Sequence, residues 1–195
     1  MRIITGKYKG RIIKAPKGIR PTEDRVRKAF FDIMGDISGL SFLELFAGSG
    51  AMGIEALSFG AREVVFVEKD INCVKVIKEN IRSLIPEASI CGGQITEVIS
   101  KDVSGIIPMF SEKQRKFDII FLDPPYYRGL AEKILQLLAD YDILLSSGHI
   151  GIQHFKKDTL PDKQGKLVLF KQKEYGDTLL SFYQYEQESH ISRNI

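Results

Sequence analysis

Apolar residues in the middle of this chain fall into short unbroken blocks. Between the blocks lie stretches whose apolar positions recur every three to four residues. The blocks at 41–46, 63–67, 88–91 and 117–122 read as strands buried on both faces, and the periodic stretches at 50–59, 70–84, 94–103 and 128–140 read as helices. Such alternation predicts an α/β fold, a doubly wound parallel sheet with helices on both faces. Near the end of the chain the pattern changes. Gly148–Phe155, Lys166–Lys173 and Thr178–Tyr185 read as strands with no helices between them, the last two joined by Tyr175-Gly176-Asp177. A hairpin there makes one edge of the sheet antiparallel.

The first 36 residues read differently again. Arg2–Thr5 and Arg11–Lys14 are β-prone runs around Gly6-Lys7-Tyr8-Lys9-Gly10, a hairpin signature. After a link that ends at Pro21, Thr22 is placed to cap a helix whose first turn carries Glu23 and Asp24. Val26, Phe30 and Ile33 share one face of that helix, which leaves Arg25, Arg27 and Lys28 pointing outward. The expected organisation is a basic hairpin and helix at 1–36, a main domain at 37–186 and a polar, frayed tail at 187–195.

Charge sharpens this division. Residues 1–30 hold ten basic and two acidic side chains, a net +8 that leaves −5 on the rest of a chain whose overall charge is +3. Concentrated positive charge on a slightly acidic body marks a polyanion-docking surface, with Lys7, Lys9, Arg11, Arg20, Arg27 and Lys28 as its candidates. No apolar run approaches the roughly 18 residues of a membrane span, and the N-terminus has no signal-peptide pattern. Cys73 and Cys91 form no CxxC pair, so a reduced, cytoplasmic protein is expected. His149, His154 and His190 lack metal-ligand spacing to either cysteine, so no metal is expected. No long apolar face is left over once the sheet is covered, which favours a monomer.

Two loops carry the candidate chemistry, each directly after an apolar block and therefore at a strand's C-terminal end, where open α/β sheets bind ligands. The first is Phe46-Ala47-Gly48-Ser49-Gly50, which continues to Gly53 as a G-x-G-x-x-G pattern opening a helix. Glycines admit close backbone approach and the helix start offers free N–H groups. Glu68 ends the next strand 20 residues after Gly48, where an acid can hold a ribose. Glu44 lies within the preceding strand and shares its face with Phe42 and Phe46. An inward acid is costly unless it meets a cation or donor, and a methionyl ammonium is one. This set fits NAD and S-adenosylmethionine alike; Glu44 and the second loop favour the latter.

The second loop is Asp123-Pro124-Pro125-Tyr126. Two prolines stiffen it and remove two donors, which leaves acceptors to face a ligand. Asp123 and the Pro124 carbonyl suit the N–H groups of an exocyclic amine, and stabilise the positive charge that develops there on methylation. Tyr126 offers a flat face for a flipped base.

On these residues the chain resembles the RsmD family of small-subunit ribosomal RNA guanine-N2 methyltransferases. The likeness runs from Arg2-Ile3-Ile4, Gly6 and Gly10 through Arg20-Pro21-Thr22, Arg25 and Phe31 to Leu45–Gly50, Glu55-Ala56-Leu57 and Gly60-Ala61. It continues in Asp123–Tyr126, Arg128-Gly129-Leu130 and Tyr175–Thr178. The resemblance implies a Rossmann-like class I fold dependent on S-adenosylmethionine. It also implies N2-methylation of one guanine in small-subunit (16S) rRNA, within an assembled or partly assembled 30S subunit. Arg128 then joins the RNA-facing set, and Arg20, Thr22 and Arg25 are expected to close over the methionyl end of the cofactor. In one place the chain departs from related enzymes, many of which carry an acid after the third strand to hold the adenine. Here the predicted strand is followed by Gly92-Gly93-Gln94, so Gln94 is the expected substitute. The same tetrapeptide also serves adenine-N6 and protein-glutamine methylation. An RNA-binding assembly factor without catalysis is the reading from another class, and an NAD oxidoreductase leaves the Pro-Pro loop and the basic arm unexplained.

Overall fold

In the computed structural model, which describes residues 1–16, 18, 22–84, 93–126 and 129–187, eight strands form one sheet. Its order is β3-β2-β1-β4-β5-β8-β7-β6. β1 (Ser41–Leu45), β2 (Glu63–Glu68), β3 (Ile95–Ser100), β4 (Phe117–Leu122) and β5 (Leu144–Phe155) run parallel. β6 (Lys163–Gln164), β7 (Leu167–Tyr175) and β8 (Thr178–Tyr185) add the antiparallel edge. The crossovers are α2 (Ala51–Phe59), α3 (Ile71–Leu84), α4 (Val103–Glu112) and α5 (Leu130–Asp140), and α1 (Asp24–Met34) precedes the sheet. Among the described residues no helix is long and apolar enough to cross a membrane.

Both faces of the sheet are covered, so its central strands are apolar on both sides, as the unbroken blocks required. On one face α1 and α2 bury Phe42, Val64, Phe66, Ile119 and Phe121; on the other α4 and α5 bury Leu43, Val65, Ile120 and Leu122. Phe30 anchors α1 in the first layer, with ring centroids 5.1 Å from Phe121, 5.8 Å from Phe182 and 6.1 Å from Phe42. That anchor fixes the start of α1 over the C-terminal ends of β1 and β4.

The third crossover differs from its expected form. The strand expected at 88–91 lies outside the described residues, as do Arg20, Cys91 and Arg128. The helix expected over 94–103 is not there: Ile95–Ser100 is β3, paired with β2 from Glu63↔Ile95 to Glu68↔Ser100. Its β-branched residues Ile95, Thr96, Val98 and Ile99 suit an edge strand, and Asp102 then caps α4 by accepting from Ser104 N at 2.9 Å. Thr22 is likewise not the cap of α1. The N-cap is Glu23, whose side chain pairs with Arg25 and makes no capping bond, and Thr22 turns to the second loop.

The N-terminal arm is part of the core. Ile3, Tyr8 and Ile13 are buried against α2, and three buried polar side chains tie the arm's backbone down. Glu55 accepts from Ile4 N and Thr5 N at 3.0 and 2.8 Å, Ser58 accepts Tyr8 N on its hydroxyl and Lys7 N on its backbone carbonyl, and Asn80 brackets both the N–H and carbonyl of Lys14. Ser58 and Leu84, which accepts from Arg11, belong to the last turns of α2 and α3. The last turn of α2 lies at the end of that helix remote from the cofactor loop, whereas α3 stays close to the loop at Asn80, which also donates to Ser49 O at 3.2 Å. Lys7 and Lys9 are exposed beside the end of α2, and Arg11 is exposed beside the end of α3.

Candidate active site

At the C-terminal ends of β1, β2, β4 and β5 a cavity of about 580 Å³ opens, within the range of small-molecule sites. The first loop forms one side of it with Glu44, Phe46, Ala47, Gly48 and Ser49, and Glu68 and Lys69 border it from the end of β2. Asp123, Pro124, Pro125 and Tyr126 form the other side, and Thr22, Glu23 and Val26 close it from the start of α1. Two loops 73 residues apart from Gly50 to Asp123 thus share one pocket.

Each element of the first loop has a local cause. Phe46 takes φ 57°, a left-handed conformation costly for an aromatic residue, and this turns the chain out of β1 into the cavity wall. Gly48 N donates to Glu68 Oε2 at 2.9 Å, while Asp70 N donates to Oε1, so Glu68 buttresses the loop as well as facing the cavity. Glu44 is 4% exposed and accepts from Gly53 N at 2.9 Å and Met52 N at 3.3 Å. The donors that an inward acid demands are therefore the first amides of α2. Burial outweighs those bonds and pushes the Glu44 carboxyl up to about 8.

The glycines divide by purpose. Gly50 does not reach the cavity: it adopts φ 75°, and a Cβ there would press on Ile77 and Phe66 at 3.2 Å. Gly53 leaves room for the acid, since a Cβ would lie 2.4 Å from the Phe66 ring and 2.8 Å from Glu44 Oε2. Gly53→Ala should accordingly destabilise the protein by about 1–3 kcal/mol through overpacking, read as a lowered midpoint in urea unfolding with an unchanged slope. An unchanged midpoint would show that Phe66 yields freely.

In the second loop Asp123 Oδ2 accepts from Gln153 Nε2 at 3.0 Å and from Thr22 Oγ1 at 3.3 Å. Desolvation, the larger influence, pushes its carboxyl up to about 7 against those two bonds. Oδ1 receives no hydrogen bond among the described residues. The Tyr126 hydroxyl meets Thr178 Oγ1 at 3.1 Å and its ring lies 6.0 Å from that of Phe155, so the β8 start and β5 end hold the tyrosine in place.

Several expected site residues stand elsewhere. Gln94 is a structural residue at the opposite edge of the sheet: it precedes β3 and donates to the carbonyls of Leu57 and Ala61 at 3.0 and 2.9 Å. With β3 ending at Ser100, the acid after the third strand is Asp102, whose carboxylate lies 3.7 Å from the ammonium of cavity-lining Lys69. Arg25 is not in the cavity wall; it pairs with Glu23 at 2.7 Å and overhangs Gly176 of the β7–β8 turn. Lys28 is exposed and pairs with Asp32 at 2.7 Å. Arg27 is fully buried, bound to Arg2 O, Asp24 and Met1 Sδ with Glu55 at 4.0 Å, and cannot touch RNA. Sequence reasoning passed over Gln153 and Thr178 as site residues. Thr178 does follow the Tyr175-Gly176-Asp177 turn, whereas Gln153 sits in a strand without any local signal.

The cavity suits a cation that carries a diol. Four acidic residues, Glu23, Glu44, Glu68 and Asp123, line it with Lys69 the one basic lining side chain among the described residues. Comparison with known proteins agrees with that chemistry. Residues 1–184 match the family model described as Conserved hypothetical protein 95. The chain is 33% identical over 187 residues to Ribosomal RNA small subunit methyltransferase D of Haemophilus influenzae, covering 94% of this chain and 93% of that protein. It is 32% identical over 191 residues to the protein of the same name from Escherichia coli, covering 96% and 91%. The solved structure of a hypothetical protein from Thermus thermophilus superposes with a TM-score of 0.80 at 33% identity, covering 94% of this chain and 99% of that one.

Proposed function

Because this chain belongs to the RsmD family, whose model carries the description Conserved hypothetical protein 95, we propose that it methylates the exocyclic N2 amine of a guanine in small-subunit ribosomal RNA. The observation that carries this reading is Asp123, a carboxyl with both of its protein donors on one oxygen, set between the acidic cofactor cavity and Tyr126.

S-adenosylmethionine is the cofactor, and when bound it supplies an electrophilic methyl carbon on a sulfonium. Glu68 is the residue for the ribose hydroxyls, Glu44 and Thr22 face the methionyl end, and Phe46, Ala47, Gly48 and Ser49 line the remainder. The chain's own task is to hold the acceptor amine with its lone pair toward that carbon. Asp123 Oδ1 and the Pro124 carbonyl accept the amine's two N–H bonds and favour its pyramidal form. As the amine nitrogen takes the methyl group and the sulfonium is released as a neutral thioether, the Asp123 carboxylate would stabilise the charge on nitrogen and take up the proton released. Along its N2 edge guanine presents two adjacent donors, the amine and N1–H, which suits a Pro-Pro loop that offers acceptors. Adenine places an acceptor beside its amine. Exposed Lys7, Lys9 and Arg11 provide a phosphate-binding patch beside the last turns of α2 and α3.

The acidic cavity makes cofactor affinity pH-dependent. Glu44 and Asp123 ionise later in the folded chain than in the unfolded one, whose values are 4.5 and 3.8, so the stability they confer is complete below about pH 4 and is lost as pH rises through about 7 and 8. A cationic ligand favours the ionised forms. Calorimetric titration should therefore show S-adenosylmethionine binding severalfold more tightly at about pH 8.5 than at about pH 6. Affinity that stays flat or falls over that window would remove both carboxylates from cofactor binding.

Radiolabelled methyl transfer tests the function directly, with unmodified small subunits, naked small-subunit rRNA, duplex DNA and total protein as acceptors, followed by nucleoside analysis. The expected product is N2-methylguanosine. Label in N6-methyladenosine or glutamine would overturn the acceptor, and cofactor binding without transfer to any acceptor would point to an assembly factor.

A further inference from the structure

Gln153 stands beside Asp123 by virtue of the sheet register. Leu122 pairs with Ile152 across β4 and β5, so the next residue of each strand meets the other at the strand ends. The Gln153 side chain is 7% exposed and lines the cavity. Its Nε2 donates to Asp123 Oδ2 at 3.0 Å and approaches the Tyr126 hydroxyl at 3.4 Å. Its own carbonyl oxygen is buried and has no hydrogen-bond partner among the described residues. Buried amides ordinarily satisfy both ends. Here one end is left orphaned while the other is kept on a carboxylate. Turning the amide over would set its carbonyl against the Asp123 oxygen, an arrangement open only to a protonated acid. The orientation of Gln153 is thus coupled to the charge of Asp123.

We infer that Gln153 is the positioning residue of the acceptor site: its amide favours the carboxylate form of Asp123 and engages Oδ2, so that Oδ1 stays free for the amine being methylated. The inference rests on the role of Asp123 proposed above. It also accounts for how an acid survives in this company. Glu23 from the start of α1, Glu44 from β1 and Glu68 from β2 line the same cavity beside Lys69 and Tyr126, and burial is what pushes the Asp123 carboxyl up. Only Thr22 and Gln153 donate to Asp123 among the described residues.

Two variants of the full chain test this. Gln153→Met keeps side-chain length and loses the donor; Gln153→Glu keeps the shape and adds a second acid that must share a proton with Asp123. The first readout needs no substrate: carbon NMR titration of labelled aspartate carboxyls, with the Asp123 signal identified by its loss in Asp123→Asn. In Gln153→Met the Asp123 midpoint should rise by about one pH unit, and in Gln153→Glu further, in two coupled steps. The second readout is single-turnover methyl transfer against pH at saturating cofactor and acceptor. Its acidic limb should move with the NMR midpoint, the Gln153→Met rate falling about tenfold near neutrality and recovering toward wild type at about pH 9. An Asp123 midpoint unmoved in Gln153→Met overturns the inference, even in an inactive variant, because the loss would then be one of packing. A moved midpoint with an unmoved rate profile overturns it too. If wild type methylates some other amine, the guanine reading fails while the NMR shift and its matching limb still support Gln153.

Discussion

Asp123→Ala should lower single-turnover methyl transfer by about 10²–10³-fold while S-adenosylmethionine still binds within a few-fold of its wild-type affinity. Asp123 belongs to the Pro-Pro loop and not to the Gly48 loop, so on the proposed roles its loss removes charge stabilisation at nitrogen and leaves the ribose contact proposed for Glu68. Asp123→Asn retains one acceptor oxygen and should fall between the two. The same substitution has an opposite effect on stability. The Asp123 carboxyl, pushed up to about 7 by desolvation, weighs against the folded state as pH rises through that value. Asp123→Ala should therefore unfold at a higher temperature than wild type at about pH 8 and near its temperature at about pH 5. Activity and stability moving in opposite directions would mark a residue kept for chemistry. Turnover within tenfold of wild type would remove Asp123 from the site.

The second large effect is expected in Arg27→Ala, which should cost about 3–5 kcal/mol of stability. The guanidinium is completely buried and joins three pieces of chain: Arg2 O at 2.8 Å in the arm, Asp24 at 2.6 Å in α1, and Glu55 at 4.0 Å in α2. Without it Glu55 keeps the amides of Ile4 and Thr5 but faces an empty, uncharged space. The thermal midpoint should drop by on the order of 10 °C. RNA affinity of the folded variant, measured at two salt concentrations, should keep the wild-type slope, because Arg27 neutralises no phosphate. Lys7→Ala combined with Lys9→Ala should do the reverse, flattening the slope with little change in midpoint. A wild-type thermal midpoint in Arg27→Ala would mean that the clasp is redundant.

These residues separate what could be read along the chain from what could not. Both ligand loops were legible because their demands are local. A strand must turn at once into a helix, or end in a rigid pair of prolines, and glycine and proline answer those demands within a few residues. The antiparallel edge was legible for the same reason, since Tyr175-Gly176-Asp177 between two β-prone runs is a hairpin wherever it occurs. Glu44 was recognised as an inward acid from strand alternation, but its partners were not, because the amides of Met52 and Gly53 come to it only when α2 folds back over β1. The helix expected over 94–103 was misread, because the β-branched run that pairs with β2 carries a strand there.

Arg25, Arg27 and Lys28 look alike in sequence, and helical periodicity turned all three outward. Their fates diverge through contacts with Glu23, Glu55 and Asp32. Of these, Glu55 lies on another helix and claims the one arginine that is buried. Gln153 is the plainest case of all: nothing near it in the chain distinguishes it from any polar strand residue, and it meets Asp123 because Leu122 and Ile152 share a register. Patterns within one element report which backbone conformations the chain must adopt. Which buried polar groups then satisfy one another depends on pairings between elements tens of residues apart, and only the packed sheet brings those together.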